Sequence, residues 1–313
     1  MALTINTNLS SMIVQQNLAK STTQLNSAIE RMTTGFKINH ASDNAAGYSI
    51  ARNWEAQLGS LDIAADNAAT GADMLSTLED NYALISSHVQ RVRDLTEQAA
   101  NGTYGEQSKQ AIKSEIEARL QEINRIAANC EFNGINMMEG EGTAATSGLD
   151  IQVGIDGDQD RSRIHLDKDL FASGNVSALF TVPANAGSEA YKPRSGVGDT
   201  DAAKAADLVS KLAEDCAGLG TTDSTVMLDQ IDKVINKISS RITTLGAAQN
   251  RIQSAVESIG VQSENITSSL STLRDADVAT ESSNYIKAQI LQQASATLLA
   301  TANQTPSIAL NLL

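Results

Sequence analysis

Residues 231–273, IDKVINKISSRITTLGAAQNRIQSAVESIGVQSENITSSLSTL, decide the fold. Ile231, Val234, Ile238, Ile242, Leu245, Gln249, Ile252, Val256, Ile259, Ser263, Ile266, Leu270 and Leu273 recur three and four residues apart, the seam of a helix packed on other helices. One stutter, between Ile238 and Ile242, interrupts the alternation. A helix running from about Thr225 to Asn303, at ~1.5 Å per residue, would be on the order of 120 Å long. The spacing predicts a mainly α chain: an elongated antiparallel helical coiled-coil rod with a small β-hairpin region.

Three further helices fall in the N-terminal half. Val14, Leu18, Ser21, Leu25, Ala28 and Met32 form a coiled-coil seam with two weak members, ending near Gly35. Leu75, Leu78, Tyr82, Ile85, Val89 and Val92 mark a second helix that Asn101-Gly102 ends, and Ile112, Ile116, Leu120, Ile123, Ala127 and Cys130 mark a third from about Glu106 to Asn129. Leu149-Asp-Ile-Gln-Val and Ile164-His-Leu alternate apolar with polar residues across a turn-rich link and read as a hairpin. From about Gly140 to Thr200 the chain is otherwise rich in Gly, Asp, Ser and Ala and reads as exposed turns.

Aromatic residues make up only 3% of the 313 positions, against 41% hydrophobic overall, which suits narrow helix seams better than a thick core. The net charge of −14 and the absence of a Lys/Arg run exclude nucleic acid as a partner class. No window is apolar enough for membrane insertion, and the first residues lack the pattern of a cleaved secretory signal. Those tests alone read as cytosolic. Cys130 and Cys216 lack metal or redox spacing, and Cys130 continues an apolar stripe as a buried thiol would.

The ends carry more apolar side chains than a two-helix pairing can cover. Leu9, Met12, Ile13 and Val14 crowd one end, and Ile286, Ile290, Leu291, Leu298, Leu299, Ile308, Leu310, Leu312 and Leu313 the other. Burial against further copies of the chain is the expected outcome, with both ends as the assembly surface.

Several phrases are similar to a known family. Leu25-Asn-Ser-Ala-Ile-Glu-Arg-Met-Thr-Thr-Gly-Phe-Lys-Ile-Asn39, Ser42-Asp-Asn-Ala-Ala-Gly47, Gln90-Arg-Val-Arg-Asp-Leu95, Gln98-Ala-Ala-Asn-Gly102, Phe132-Asn-Gly134 and Ala288-Gln-Ile-Leu-Gln-Gln-Ala294 resemble bacterial flagellin. The match covers about residues 1–172 and 205–313. The resemblance implies a flagellar filament subunit used for motility, a helical homopolymer outside the cell. It implies residues 1–44 with 272–313 as an inner-tube domain, 45–172 with 205–271 as a helical outer-tube domain with β-hairpins, and 173–204 as a short variable exposed segment. Val14, Leu18, Leu25, Met32, Ile286, Ile290, Leu291, Leu298, Leu299 and Leu313 would then be inner-tube assembly residues.

The family also implies unfolded passage through the flagellar type III apparatus, which replaces the cytosolic reading. An export chaperone, the filament cap and hook-associated proteins are the implied partners. Gln90, Arg91 and Leu95, with Glu115 on the next helix, match the positions sensed by the Toll-like receptor for flagellin, with subunit packing as the alternative duty of that face. The chain departs from the family in its short middle, its two cysteines, Asp94 in place of a common glutamate, and Thr96-Glu97 in place of a smaller, more apolar pair. A hook-filament junction protein and a secreted coiled-coil effector or adhesin are the rival readings.

Enzymatic chemistry has no foothold. His40, His88 and His165 are scattered, and no nucleophile, base or metal motif is present, so neither a cofactor nor a catalytic residue is expected. Asp156-Gly-Asp-Gln-Asp160 mimics the start of a calcium loop but has Arg161 where the sharp turn needs Gly, and it reads as a hairpin turn. Ser173, Ser177, Thr181, Ser188 and Ser195 are hydroxyls of the middle segment open to glycosylation, with nothing in their spacing to single one out.

Overall fold

The thirteen-position seam of residues 231–273 lies on helical backbone throughout, and every one of its side chains is buried or half-buried. The computed structural model describes residues 8–139, 147–158, 162–180, 201–220 and 224–310, with backbone alone at 201–208, 224–225 and 305–310. Residues 159–161, Thr181, Ser188, Ser195, Leu312 and Leu313, all singled out above, lie outside the described residues.

The described chain is mainly helical. Its helices are α1 (Leu9–Thr34), α2 (Ala45–Ala100), α3 (Glu106–Asn129), α4 (Val176–Leu179), α5 (Asp201–Cys216), α6 (Ser224–Arg274) and α7 (Val278–Leu310). Two antiparallel strand pairs complete it: β1 (Glu131–Phe132) with β2 (Ile135–Asn136), and β3 (Leu149–Gln152) with β4 (Arg163–Leu166). Two compact units divide the chain, Met1–Ser60 with Val261–Leu313 and Leu61–Gly260.

In Leu61–Gly260 the stripes read from sequence make the core. Leu75, Leu78, Tyr82, Ile85, Val89 and Val92 of α2 are wholly buried, as are Ile116, Leu120, Ile123 and Ala127 of α3, and Ile231, Ile238 and Leu245 of α6 join the same cluster. Each Leu, Ile or Val side chain so removed from water contributes about 1.5–3 kcal/mol. Beside the stutter, between Ile238 and Ile242, stands Arg241. Its Nη1 donates to the Tyr82 hydroxyl at 3.1 Å and to the carbonyls of Ala172 and Ser173 at 3.2 and 3.1 Å. Its guanidinium also lies over the Tyr82 ring, 5.6 Å from the centroid. One side chain thus ties α6, α2 and the segment after the 3-10 turn Lys168–Phe171.

The sequence expectations are corrected at two places and extended at a third. The exposed segment begins with core: Val176, Leu179 and Phe180 are buried, and Asn124 of α3 starts α4 by accepting the Val176 N–H at 2.9 Å. Helix α5, unread in the sequence, buries Val209, Leu212, Ala213 and Cys216. The single helix from Thr225 to Asn303 is two helices, broken at Asp275–Asp277.

At the break the chain pairs with the exit of α1. Phe36 and Asp275 form an isolated antiparallel bridge, in which Lys37 N–H donates to Arg274 O at 2.7 Å and Ala276 N–H to Gly35 O at 2.8 Å. Gly35 sits at φ 77°, a left-handed conformation that ends α1 at glycine's usual position. The Arg274 guanidinium stacks on the Phe36 ring, 3.9 Å from its centroid, and pairs with Glu55. This clasp joins the exit of α1 to the exit of α6.

The motif Ser42-Asp-Asn-Ala-Ala-Gly47 acquires roles of the same kind. Asp43 accepts from the backbone of His40 and Asn39, and these bonds hold its carboxyl below the usual range. Asn44 accepts the Gly47 N–H at 3.0 Å as the cap of α2. Asp277 caps α7, accepting from the Thr280 hydroxyl and the Ala279 N–H, and its pKa is likewise lowered.

A depressed folded-state pKa gives stability that is present above the usual value of 3.8 and lost as pH falls through the folded value. Helicity should therefore fall below about pH 3.8, and Asp277→Asn, which caps without titrating, should flatten that limb in circular dichroism. An unchanged acid limb would dismiss the cap as its source.

Candidate functional site

Helices α1 and α7 pack antiparallel. Asn8 Nδ2 donates to Ala302 O at 2.8 Å, Ser11 Oγ to Asn303 Oδ1 at 2.8 Å and Gln292 Nε2 to Thr22 Oγ1 at 3.2 Å. At the other end Arg31 pairs with Glu281 at 3.2 Å. Asn8 starts α1 by accepting the Ser11 N–H.

The seam of α1 runs through Ser11, Val14, Leu18, Ser21, Leu25 and Ala28, and that of α7 through Glu281, Tyr285, Ala288, Gln292, Ser295 and Leu299. Only Ser11, Ser21, Ala28, Glu281, Ala288 and Ser295 are buried, and four of these six are polar. Small polar contacts remove little apolar area, so this pair alone offsets little of the conformational entropy lost by ordering two long helices.

Large apolar side chains stand outside the seam instead. Met12 is 62% exposed, Ile290 59% and Leu298 56%, and Leu9, Ile13, Ile29, Met32, Val278, Ile286 and Leu291 are exposed as well. Of the residues named from sequence, Val14, Leu18, Leu25 and Leu299 are half-buried in the seam, and Met32, Ile286, Ile290, Leu291 and Leu298 face water. Leu313 lies outside the described residues. Sequence reading missed the buried Glu281 and Ser295. Their seven-residue spacing with Ala288 was the available signal.

The second set splits. Arg91 donates from Nε and Nη2 to Glu115 Oε1 at 3.0 and 2.9 Å, and Gln90 is exposed beside it. The pair is about half exposed, so it contributes roughly 1 kcal/mol at most. Leu95 does not share that face: it is buried with Val92 and Ala99, because position 95 continues the core stripe of α2. An apolar contact offered to a partner beside Arg91 is thus corrected to a core residue.

The departures Thr96 and Glu97 have partners within the chain. Thr96 is fully buried and donates to Val92 O at 2.8 Å; Glu97 lies 3.5 Å from Arg93, whose Nε reaches Asp232 at 2.7 Å. Cys130 and Cys216 are free and buried. Burial pushes their thiols up to about 11 and about 12, so neither is an activated nucleophile.

Among the described residues no group of three or more His, Cys, Asp or Glu could hold a metal ion, and no helix is long and apolar enough to cross a membrane. His165 meets Asp150 at 2.7 Å, with Arg163 3.8 Å from the same carboxylate, and His40 meets Glu30 at 2.8 Å, all on the surface.

Comparison with known proteins gives a consistent picture. Residues 5–143 match the bacterial flagellin N-terminal helical region, and residues 228–313 match the bacterial flagellin C-terminal helical region. The chain is 37% identical to a flagellin of Xenorhabdus nematophila, covering 100% of both chains. It is 33% identical to the flagellin of Bacillus subtilis, with 99% of each covered. A flagellar filament 33 kDa core protein of Treponema phagedenis is 30% identical, again over 99% of both.

Proposed function

Because the chain belongs to the bacterial flagellin family, whose members are structural subunits of the motility filament, we propose that the exposed apolar faces of α1 and α7 are the surface through which copies join. The exposure of Met12, Ile290 and Leu298 beside a seam of Ser, Ala and Glu carries this reading. A weak intramolecular seam leaves the helix pair to be completed by neighbours, so ordering of the ends and assembly are one event. The filament lies outside the cell.

Chains lacking residues 1–35 or 280–313 should form no filaments by electron microscopy where the full chain does, and the full chain should gain helix by circular dichroism on polymerising. Normal filaments from either truncated chain would overturn the reading.

The finer partners follow from the family. Unfolded type III export with a chaperone, and contact with cap and hook-associated proteins, are assigned to the same ends. Recognition by the Toll-like receptor for flagellin is assigned to Gln90, Arg91 and Glu115. The exposure of Gln90 and Arg91, with Glu115 half-buried against Arg91, supports it, and the burial of Leu95 leaves it a polar contact.

A further inference from the structure

We propose that Asn101 is a site of spontaneous, enzyme-free deamidation at the exit of α2. The chemistry needs a side-chain amide followed by an unhindered main-chain amide, and Asn101-Gly102 supplies both on an exposed bend. Gly102 N–H makes no hydrogen bond among the described residues, whereas its neighbours are held: Asn101 N–H donates to Gln98 O and Tyr104 N–H to Asn101 O, each at 3.3 Å. Nothing lies within 4 Å of where a Gly102 Cβ would stand. The nucleophile is free while the chain on either side of it is fixed.

The electrophile is prepared as well. Asn101 Oδ1 accepts from Thr103 N–H at 3.2 Å and from Thr103 Oγ1 at 3.1 Å. Two donors on one carbonyl oxygen stabilise the negative charge that builds there when its carbon is attacked. Gly102 N loses its proton and bonds to Asn101 Cγ. The adduct collapses to a five-membered succinimide as Nδ2 takes up a proton and leaves as ammonia. Water then opens either carbonyl, giving aspartate or isoaspartate. The net change is amide plus water to carboxylic acid plus ammonia, with no redox partner.

The fold contains its own control. Asn133-Gly134 is the same dipeptide, also exposed, but Asn133 is held at φ 49° in a turn closed by the Phe132–Ile135 pair. Its side-chain amide makes no hydrogen bond among the described residues.

The product would matter locally. A carboxylate at position 101 meets the negative end of the α2 dipole. Isoaspartate adds a methylene to the main chain and shifts Tyr104 against Gln98, whose Nε2 donates to the Tyr104 hydroxyl at 2.8 Å. The connection from α2 to α3 should loosen with age.

The full chain, aged in buffer at mildly alkaline pH, is digested and mapped by mass spectrometry, with isoaspartate counted by enzymatic methylation. Conversion at Asn101 should outrun that at Asn133 and rise with pH. Gly102→Ala should suppress it, and Thr103→Val should slow it about two- to tenfold, the value of one lost hydrogen bond. An unfolded peptide spanning both residues should convert more slowly than the folded chain. Equal rates at the two asparagines, indifference to Thr103→Val, or a peptide that matches the folded chain would each overturn the proposal.

Discussion

Filaments should not form when Ile290 and Leu298 are both replaced by glutamate, although the monomer keeps the stability of its Leu61–Gly260 unit. Both side chains are more than half exposed and lie off the seam that α7 shares with α1, so glutamate at either position meets water in the free chain. In the polymer each would bury about 1.5–3 kcal/mol of apolar contact. Losing both raises the critical concentration by on the order of a hundred- to ten-thousandfold, at ~1.4 kcal/mol per factor of ten, before the cost of desolvating two carboxylates. Sedimentation over a concentration series measures it. Normal polymerisation of the double variant would place the assembly surface elsewhere. Met12→Glu tests the opposite helix in the same assay.

Replacing Arg241 by alanine should be the costliest single change to the Leu61–Gly260 unit outside its apolar stripes. Three acceptors lose a charged donor at once: the Tyr82 hydroxyl and the carbonyls of Ala172 and Ser173. Hydrogen bonds from charged groups contribute roughly 1.5–3 kcal/mol each and do not add fully, so a loss of about 2–4 kcal/mol is expected. For a unit of this size the midpoint should fall by roughly 5–15 °C. Tyr82→Phe should cost about 1 kcal/mol, and a double-mutant cycle should show the two coupled. A shift under one degree for Arg241→Ala would mean that the segment after β4 is held by its buried Leu170 and Phe171 alone.

Seams were legible because they are periodic. Every stripe residue named in α2 and α3, from Leu75 to Val92 and from Ile112 to Cys130, is buried. Unperiodic features were not. The strand pair β1–β2 has two residues on each side and rests on the left-handed Asn133-Gly134 turn, which no alternation announces. The break at Asp275 goes with pairing to Phe36, far away in sequence, and locally only the capping Asp277 marks it.

Arg241 was legible only as an interruption, although the stutter marked where a polar side chain could enter the seam. At the ends, sequence reading pooled Val14 and Leu18 with Ile290 and Leu298. Which of these faces the partner helix and which faces water depends on the α1–α7 register, and that is fixed by the contacts Asn8–Ala302 and Arg31–Glu281.

The Phe36–Asp275 bridge also sets an order of events. Arg31 and Glu281 are 250 residues apart along the chain, a separation whose closure is entropically costly and slow. Once Gly35–Lys37 lies against Arg274–Ala276, the two helices leave from neighbouring points, and Arg31 and Glu281 become the first pair of a short closed loop. Pairing then propagates like a zip from this pair toward Ser11 and Asn303, each contact shortening the path to the next. In that order the Ser11–Asn303 contact is the last to close and the first to open.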